Sequence, residues 1–153
     1  MTLQMTPMSN PSTRLLFDNV EVGDELPTLT NPPITHVQLV RYAGASGDFN
    51  PLHTNPEIGK SIGIGGTIAH GMLIMGFLGH LVSDYLGGPA LLSNFKVRFA
   101  NMSRPGEILI CSGKVTRKYE EGDKGFIEAE VRATNPEGQV KATGTFTACI
   151  PKK

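Results

Sequence analysis

The chain has no tryptophan and only two cysteines among its 153 residues. Cys111 and Cys149 each stand alone in a strand-like stretch, and neither belongs to a Cys-x-x-Cys pair. Isolated cysteines of this kind argue against a disulfide framework and against a thiolate zinc site. We expect both to be buried and to behave as small hydrophobic side chains.

The sequence also lacks an excess of charge of either sign, because 14 basic residues balance 14 acidic ones. Without a run of like charge, neither a nucleic-acid stripe nor a membrane-surface patch is expected. Residues 1–12 are polar, contain proline and are predicted to be flexible, with residues 13–153 as a single domain. No basic region followed by a hydrophobic run opens the chain, so a cytoplasmic location is the default expectation.

Between Ser61 and Ser83 there is no aspartate, glutamate, lysine or arginine. The helical part of this stretch, about residues 71–86, is shorter than the roughly 20 residues needed to cross a bilayer. Apolar side chains point around its whole circumference, which predicts a buried core helix covered on nearly every side. Residues 87–89 (GGP) predict the end of this helix.

Helix signals come early in the chain and strand signals come late. Thr35 and Gln38 have capping-box spacing, and Val37, Val40 and Ala43 predict the apolar face of a short helix that stops at Gly44. Residues 95–99, 108–119, 127–133 and 139–150 have strand-like patterns and predict antiparallel strands. We therefore predict an α+β fold in which one antiparallel β-sheet wraps around the apolar helix.

Two short motifs, residues 48–53 (DFNPLH) and 66–71 (GTIAHG), carry most of the functional information. A carboxylate at Asp48 and an imidazole at His53 can address one water molecule if the chain turns at Asn50-Pro51. Gly71 opens the apolar helix, whose first backbone N–H groups can hold a carbonyl oxygen that gains negative charge. An acid, a base and an oxyanion donor are thus predicted in one neighbourhood.

Residues 42–53 (YAGASGDFNPLH), followed by residues 69–72 (AHGM), resemble the MaoC-like (R)-specific enoyl-CoA hydratases and dehydratases of the hot dog fold. Residues 22–24 (VGD) and 105–107 (PGE) also look like family features, so the resemblance extends over most of the chain. It implies a hydro-lyase of fatty acid metabolism that adds water reversibly to a trans-2-enoyl thioester and gives the (R)-3-hydroxyacyl thioester. By the same resemblance, Asp48 and His53 are the catalytic pair and the Gly71 N–H is the oxyanion donor.

This chemistry also suits the residues themselves. Water attacks the β-carbon of a conjugated thioester, charge builds on the carbonyl oxygen, and the α-carbon is then protonated. Two proton-transfer groups and one oxyanion donor suffice, so no metal or organic cofactor is expected beyond the acyl-CoA or acyl carrier protein thioester itself. The sequence leaves open whether Asp48 or His53 removes the proton from water.

The remaining polar and glycine-rich features receive simpler interpretations. His70 and His80 are ten positions apart, not at the four-residue spacing of a helical zinc pair, and we interpret both as structural. The glycine- and isoleucine-rich segment 58–66 predicts either a pliable loop beside the acyl chain or a plain surface loop. On the first alternative, Ile62 and Ile64, together with Met75 of the helix, are candidates for the acyl pocket.

Two other functions remain open, a hot dog thioesterase and a subunit of a heterodimeric 3-hydroxyacyl-thioester dehydratase. The Asp48–His53 pair argues against the first, and the retention of both residues argues for an active chain. Lys96, Arg98 and Arg104 are candidates for binding the phosphates of the thioester carrier. An open sheet edge, and the resemblance, predict a homodimer or higher homo-oligomer.

Overall fold

The computed structural model describes residues 15–88 and 90–153. The segment 1–12, predicted to be flexible, and Pro89 of the predicted helix end lie outside the described residues. The elements are β1 (Glu25–Thr30), α1 (His36–Ser46), α2 (Pro56–Ser61), α3 (Gly71–Leu86), β2 (Leu91–Phe99), β3 (Ile110–Glu121), β4 (Lys124–Thr134) and β5 (Val140–Ile150). One-turn helices at Phe17–Asn19 and Pro51–His53 complete the set.

The five strands form one antiparallel sheet in the order β1-β3-β4-β5-β2. Strand β4 lies at the centre, and its residues alternate between buried and more accessible, as a sheet with one face on the core requires. Strands β1 and β2 form the two edges. The predicted α+β class and antiparallel sheet are therefore confirmed.

Helix α3 packs across this sheet and contacts β1, β3, β4 and β5. It begins at Gly71 and ends at Leu86, as predicted. Its buried residues are Leu73, Ile74, Leu78, Leu81, Val82 and Leu86. They share one core with apolar side chains of the sheet, among them Val115, Ile127, Phe146 and Ile150. The hydrophobic effect on this contact holds the helix in place.

The prediction that α3 is covered on nearly every side is wrong for the single chain. Met72 is 57% exposed, and Gly76 and His80 are exposed as well. These residues recur every four positions and form one stripe, because a single sheet covers only the opposite side of the helix. Among the described residues, no helix is long and apolar enough to span a membrane.

Helix α1 begins as predicted but ends later. The Thr35 hydroxyl oxygen accepts a hydrogen bond from the Gln38 backbone N–H at 3.0 Å, which is an N-cap. The helix continues past Gly44 to Ser46, and Gly47 ends it with a left-handed φ of 77°. Glycine adopts this conformation without steric cost, so Gly47 is the stop signal.

The predicted apolar face of α1 is also wrong in part. Val37 and Val40 are 61% and 48% exposed, whereas Leu39 and Ala43 are almost fully buried. Leu39 and Ala43 are four positions apart and therefore lie on one side of the helix. The helix rests on the core through these two residues.

Strand β1 and helix α2 were not predicted. Helix α2 occupies part of the segment interpreted as a pliable or surface loop, and Asn55 caps it by accepting a hydrogen bond from the Glu57 backbone N–H. A Cβ atom at Gly59 would lie 1.9 Å from the Gly66 carbonyl oxygen. The segment is thus a closed turn whose two ends touch, and glycine is required at its start.

The two cysteines differ in burial. Cys111 is buried as predicted, and its sulfur accepts a hydrogen bond from Asn31 Nδ2 at 3.6 Å. Burial raises the pKa of the Cys111 thiol to about 11, so it stays protonated and inert at neutral pH. Cys149 is only half-buried, so the prediction is wrong for this residue: it alternates with the buried Ala148 and Ile150 and lies on the other face of the sheet.

The segment 101–107 lies in the connection from β2 to β3 and supports the loop before α3. Lys141 is 3% exposed, and its ammonium group donates to Glu107 Oε1 at 3.1 Å and to the Met102 carbonyl oxygen at 2.9 Å. The Ser103 carbonyl oxygen accepts from the Ala69 backbone N–H at 2.8 Å. The ion pair between the buried Lys141 and the partly exposed Glu107 therefore fixes the segment to which Ala69 is hydrogen-bonded.

We expect Glu107→Ala to lower the free energy of unfolding by about 3 kcal/mol, because it leaves the buried Lys141 charge without its partner. Chemical denaturation monitored by circular dichroism measures this change. Glu57→Ala is the matched control, since it removes the exposed Lys60–Glu57 pair and should change stability by less than about 1 kcal/mol. Equal effects of the two substitutions would contradict a structural role for the Lys141 pair.

Candidate functional site

The loop after α1 turns as its sequence predicts. The Asp48 carboxylate accepts a hydrogen bond from the Asn50 backbone N–H at 3.2 Å, and the Asn50 side chain accepts from the Leu52 N–H at 3.1 Å. Pro51 then opens a one-turn helix that ends at His53. This turn brings His53 Nε2 to 3.7 Å from Asp48 Oδ2.

The hydrogen bonds of His53 define which nitrogen faces Asp48 as a free base. His53 Nδ1 lies 2.8 Å from the Ile68 carbonyl oxygen, which can only accept, so Nδ1 carries the hydrogen. In the neutral ring, Nε2 then presents a lone pair toward the carboxylate. Both groups are acceptors at a distance too long for a direct hydrogen bond. A water molecule that donates one O–H to each would satisfy both.

The two side chains differ in exposure. The His53 side chain is 12% exposed, whereas the Asp48 side chain is 53% exposed. The imidazole is therefore enclosed, and the carboxylate is open to the solvent. A small molecule can reach the gap between the two groups from the Asp48 side.

Gly71 provides the first backbone N–H of α3. The His70 side chain makes no capping bond to this helix, and within the described residues the Gly71 N–H has no backbone acceptor. It lies at the positive end of a 16-residue helix, where a developing negative charge is stabilised. A Cβ atom at this position would come within 3.2 Å of the Phe99 ring, so glycine allows that ring to lie close to the start of α3.

His70 is the site residue that the sequence analysis assigned only a structural role. Its Nε2–H donates to the Asp48 carbonyl oxygen at 3.1 Å. Its ring stacks on His53 with centroids 3.8 Å apart and packs edge-on against Tyr42 at 4.9 Å. It is 1% exposed, and burial lowers the pKa of its imidazole below the usual value of 6.5. His70 is therefore neutral at pH 7.

A signal for this role is present in the sequence. His70 lies in a stretch without a formal charge and directly precedes the helix-opening glycine. A polar side chain buried in such a stretch must find polar partners. A spacing rule for zinc ligands on one helix does not detect partners that come from a distant loop. His36, by contrast, is exposed.

Ligand atoms of Asp48, His53 and His70 all lie within 4.8 Å of one another, close enough in distance to hold a metal ion. The orientation of the two imidazoles is less suitable, because their planes meet at only 26° in a stack. Lone pairs in nearly parallel planes do not converge on one point, as tetrahedral coordination requires. The expectation that the chain needs no metal or organic cofactor stays a prediction.

The acyl-pocket candidates are distributed around the closed turn and α3. Ile62 is 57% exposed, at the end of α2, and Ile64 is half-buried. The Ile64 carbonyl oxygen accepts a hydrogen bond from Arg104 Nη2. Met75 is half-buried one turn after Gly71. Met75 is thus the candidate closest to Gly71 in sequence. The acyl-binding role of all three residues stays a prediction.

The three candidates for the carrier phosphates do not form one group. Arg104 uses its guanidinium to hold the Ile64 carbonyl oxygen. Lys96 and Arg98 are exposed on the edge strand β2. Arg104 therefore has a structural contact, and phosphate binding by Lys96 and Arg98 stays a prediction.

Comparison with known proteins identifies the family of this chain. The family described as "MaoC like domain" matches residues 18–137. The (R)-specific enoyl-CoA hydratase of Rhodospirillum rubrum is 30% identical over 121 residues, which cover 78% of this chain and 82% of that protein. The peroxisomal hydratase-dehydrogenase-epimerase of Neurospora crassa is 37% identical over 89 residues, or 58% of this chain. The match spans only 9% of the length of that larger protein.

The fold agrees as well. The R-hydratase of Pseudomonas aeruginosa in its unliganded form superposes with a TM-score of 0.80 at 23% identity, covering 92% of this chain and 88% of that one. This likeness confirms the predicted hot dog fold. With the family match extending from residue 18 to residue 137, the chain belongs to the MaoC-like dehydratase family.

Proposed function

We propose that this chain is a hydro-lyase that adds water reversibly to the double bond of a trans-2-enoyl thioester and produces the (R)-3-hydroxyacyl thioester. The observation that carries the proposal is the 3.7 Å gap between His53 Nε2 and Asp48 Oδ2, together with the family to which the chain belongs. Relatives named as enoyl-CoA hydratases support the thioester as substrate. Acyl-CoA and acyl carrier protein thioesters both fit this reaction.

In the proposed reaction, a water molecule between Asp48 and His53 attacks the β-carbon of the thioester. A new C–O bond forms as the C=C π electrons move toward the thioester carbonyl, and one water proton passes to the catalytic pair. The pair then returns a proton to the α-carbon, so the elements of one water are added in total. His53 Nε2 suits the role of base, because its hydrogen is already on Nδ1.

The negative charge formed in this step lies on the carbonyl oxygen of the thioester. The Gly71 N–H, at the start of α3, is the proposed donor to that oxygen. A backbone N–H fixed by a helix needs no reorganisation when the charge develops, and such donors contribute about 10²- to 10³-fold to rate. The loop after α1, the one-turn helix that ends at His53 and the start of α3 then supply the three groups.

Asp48→Asn and His53→Ala should each lower the rate of hydration by about 10² to 10⁴, because each removes a positioned proton-transfer group. The double variant should lose little more than the worse single one, since both groups act on one water molecule. Loss of enoyl absorbance measures the rate. Near-normal turnover in either single variant would contradict the proposed pair.

The chain offers a matched control on its surface. His80 and Asp84 of α3 form an exposed pair with 3.2 Å between Nε2 and Oδ2. Asp84→Asn and His80→Ala remove the same chemical groups at a distance from the proposed site. They should leave hydration unchanged, and circular dichroism should show the same fold in all four single variants.

A product assay separates the proposed reaction from its rivals. With a short trans-2-enoyl-CoA, we expect loss of the double bond without release of free thiol, and chiral analysis should find only the (R) alcohol. Thiol release without hydration would indicate a thioesterase. No conversion by the pure chain, restored by a partner subunit, would indicate the heterodimeric dehydratase. The (S) alcohol or a racemate would contradict a water fixed on one face.

We further propose that the functional unit is at least a homodimer. In the part of the chain that the structure describes, β2 is an edge strand that pairs only with β5. It carries Leu91, Leu92 and Phe99, which are 67%, 40% and 47% exposed. An unpaired edge with exposed apolar side chains favours pairing with another strand, and a two-fold contact would cover the same edge on both copies.

Light scattering of the pure protein should therefore report a mass of at least two 16.4 kDa chains. Leu91→Lys combined with Leu92→Lys should shift the mass toward one chain, because charge on an edge strand opposes pairing. Val37→Lys, at an exposed valine of α1, is the control and should not change the mass. An active protein with the mass of a single chain would overturn the dimer.

A further inference from the structure

His70 is in contact with both members of the proposed catalytic pair, yet the proposed reaction gives it no role. The contacts are of two kinds: a hydrogen bond to the backbone of Asp48 and a ring stack on His53. Its third neighbour is the Tyr42 ring. A buried imidazole that contacts both proposed proton-transfer residues needs a physical explanation.

The hydrogen-bond pattern fixes the form of this imidazole. The Asp48 carbonyl oxygen can only accept, so His70 Nε2 carries the hydrogen. Nδ1 of the neutral ring is then a lone pair, and among the described residues this buried atom has no hydrogen-bond partner. A proton on Nδ1 would have no acceptor and would place a positive charge directly against His53. Of the two titratable groups that act on His70 by their charge, the Asp48 carboxylate favours protonation of the His70 ring and His53 opposes it.

We propose that His70 is a positioning residue for the Asp48–His53 pair: it holds the aspartate through a hydrogen bond to its backbone carbonyl oxygen and the histidine through the face of its stacked ring. This inference rests on the proposed function, because it assigns His70 to that reaction. When His53 accepts a proton from water, the adjacent neutral aromatic face attracts the new positive charge. A second charged imidazole in the same place would repel it.

The exposure of Asp48 shows why such a contact matters. Its carboxylate is half exposed and accepts one hydrogen bond in the described structure, from the backbone N–H of Asn50 in the same loop. The bond from His70 instead ties this loop to the residue before Gly71, on a different segment of the chain. Without it, the separation between Asp48 and His53 would vary with the motion of the loop. A displacement of about 1 Å is enough to cost about 10²-fold in rate.

Three substitutions separate the two contacts. His70→Gln keeps an N–H donor of similar reach and removes the ring, whereas His70→Phe keeps the ring and removes the donor. His70→Leu removes both. We expect His70→Leu to lower kcat by about 10²-fold while KM changes little, and we expect intermediate losses for the other two. The same three substitutions at the exposed His80 of α3 are the controls and should retain the normal kcat.

A second measurement does not depend on activity. Nitrogen-15 spectra of the labelled histidines should show His70 protonated only at Nε2 and still neutral at about pH 6.5, the ordinary midpoint of histidine. In His70→Leu, the His53 signals should broaden, because the imidazole loses the ring stacked on its face, while its hydrogen stays on Nδ1 against the Ile68 carbonyl oxygen. These spectra are recorded without substrate, so they test His70 even if the wild-type chain fails to hydrate an enoyl thioester.

The proposal is overturned if His70→Leu has the normal kcat per folded molecule, or if His70 carries its proton on Nδ1 or titrates as an ordinary histidine. It is also overturned if the variants unfold and the folded fraction, measured by circular dichroism, fully accounts for the lost rate. In that case His70 is structural only. Absence of hydration by the wild-type chain, with the expected spectra, would instead reject the proposed function.

Discussion

Three hydrogen bonds at Ile68 and Ala69 join the parts of the site to one another. Ile68 donates its N–H to Leu52 and accepts from the His53 ring, while Ala69 donates to Ser103. These bonds connect the loop after α1, the start of α3 and the segment anchored by Lys141. Because residues 68 and 69 come directly before His70 and Gly71, any shift in this short stretch would move the proposed base and oxyanion donor together.

The location of the site could be predicted from the sequence because each of its parts is formed by residues that are close together in the chain. Asn50-Pro51 imposes a turn by restricting its own backbone, so the approach of Asp48 and His53 does not depend on distant contacts. Gly71 and Gly87 mark the ends of α3 in the same local way. Strand β4 could likewise be predicted from local sequence, because its side chains alternate between the two faces of the sheet.

What could not be predicted depends on contacts between distant segments. Val37, Val40 and Ala43 suggested a buried helix face, but contacts with the rest of the chain bury Leu39 and Ala43 and leave both valines exposed. The same cause explains why one stripe of α3 remains exposed in the single chain. His70 was missed as a site residue because its partners lie 17 and 22 positions away, and neither separation corresponds to a local spacing rule.

The contact between Gly59 and Gly66 affects which sequence changes this protein can accept during evolution. Because the two ends of the closed turn touch, the residues between them can change in number and in side chain without moving the ends. Compact loops of this type tolerate substitution better than the elements that carry them. Ile62 and Ile64 lie within this closed turn, whereas Asp48 and His53 lie outside it. Evolution could therefore alter these two acyl-pocket candidates without moving the proposed catalytic pair.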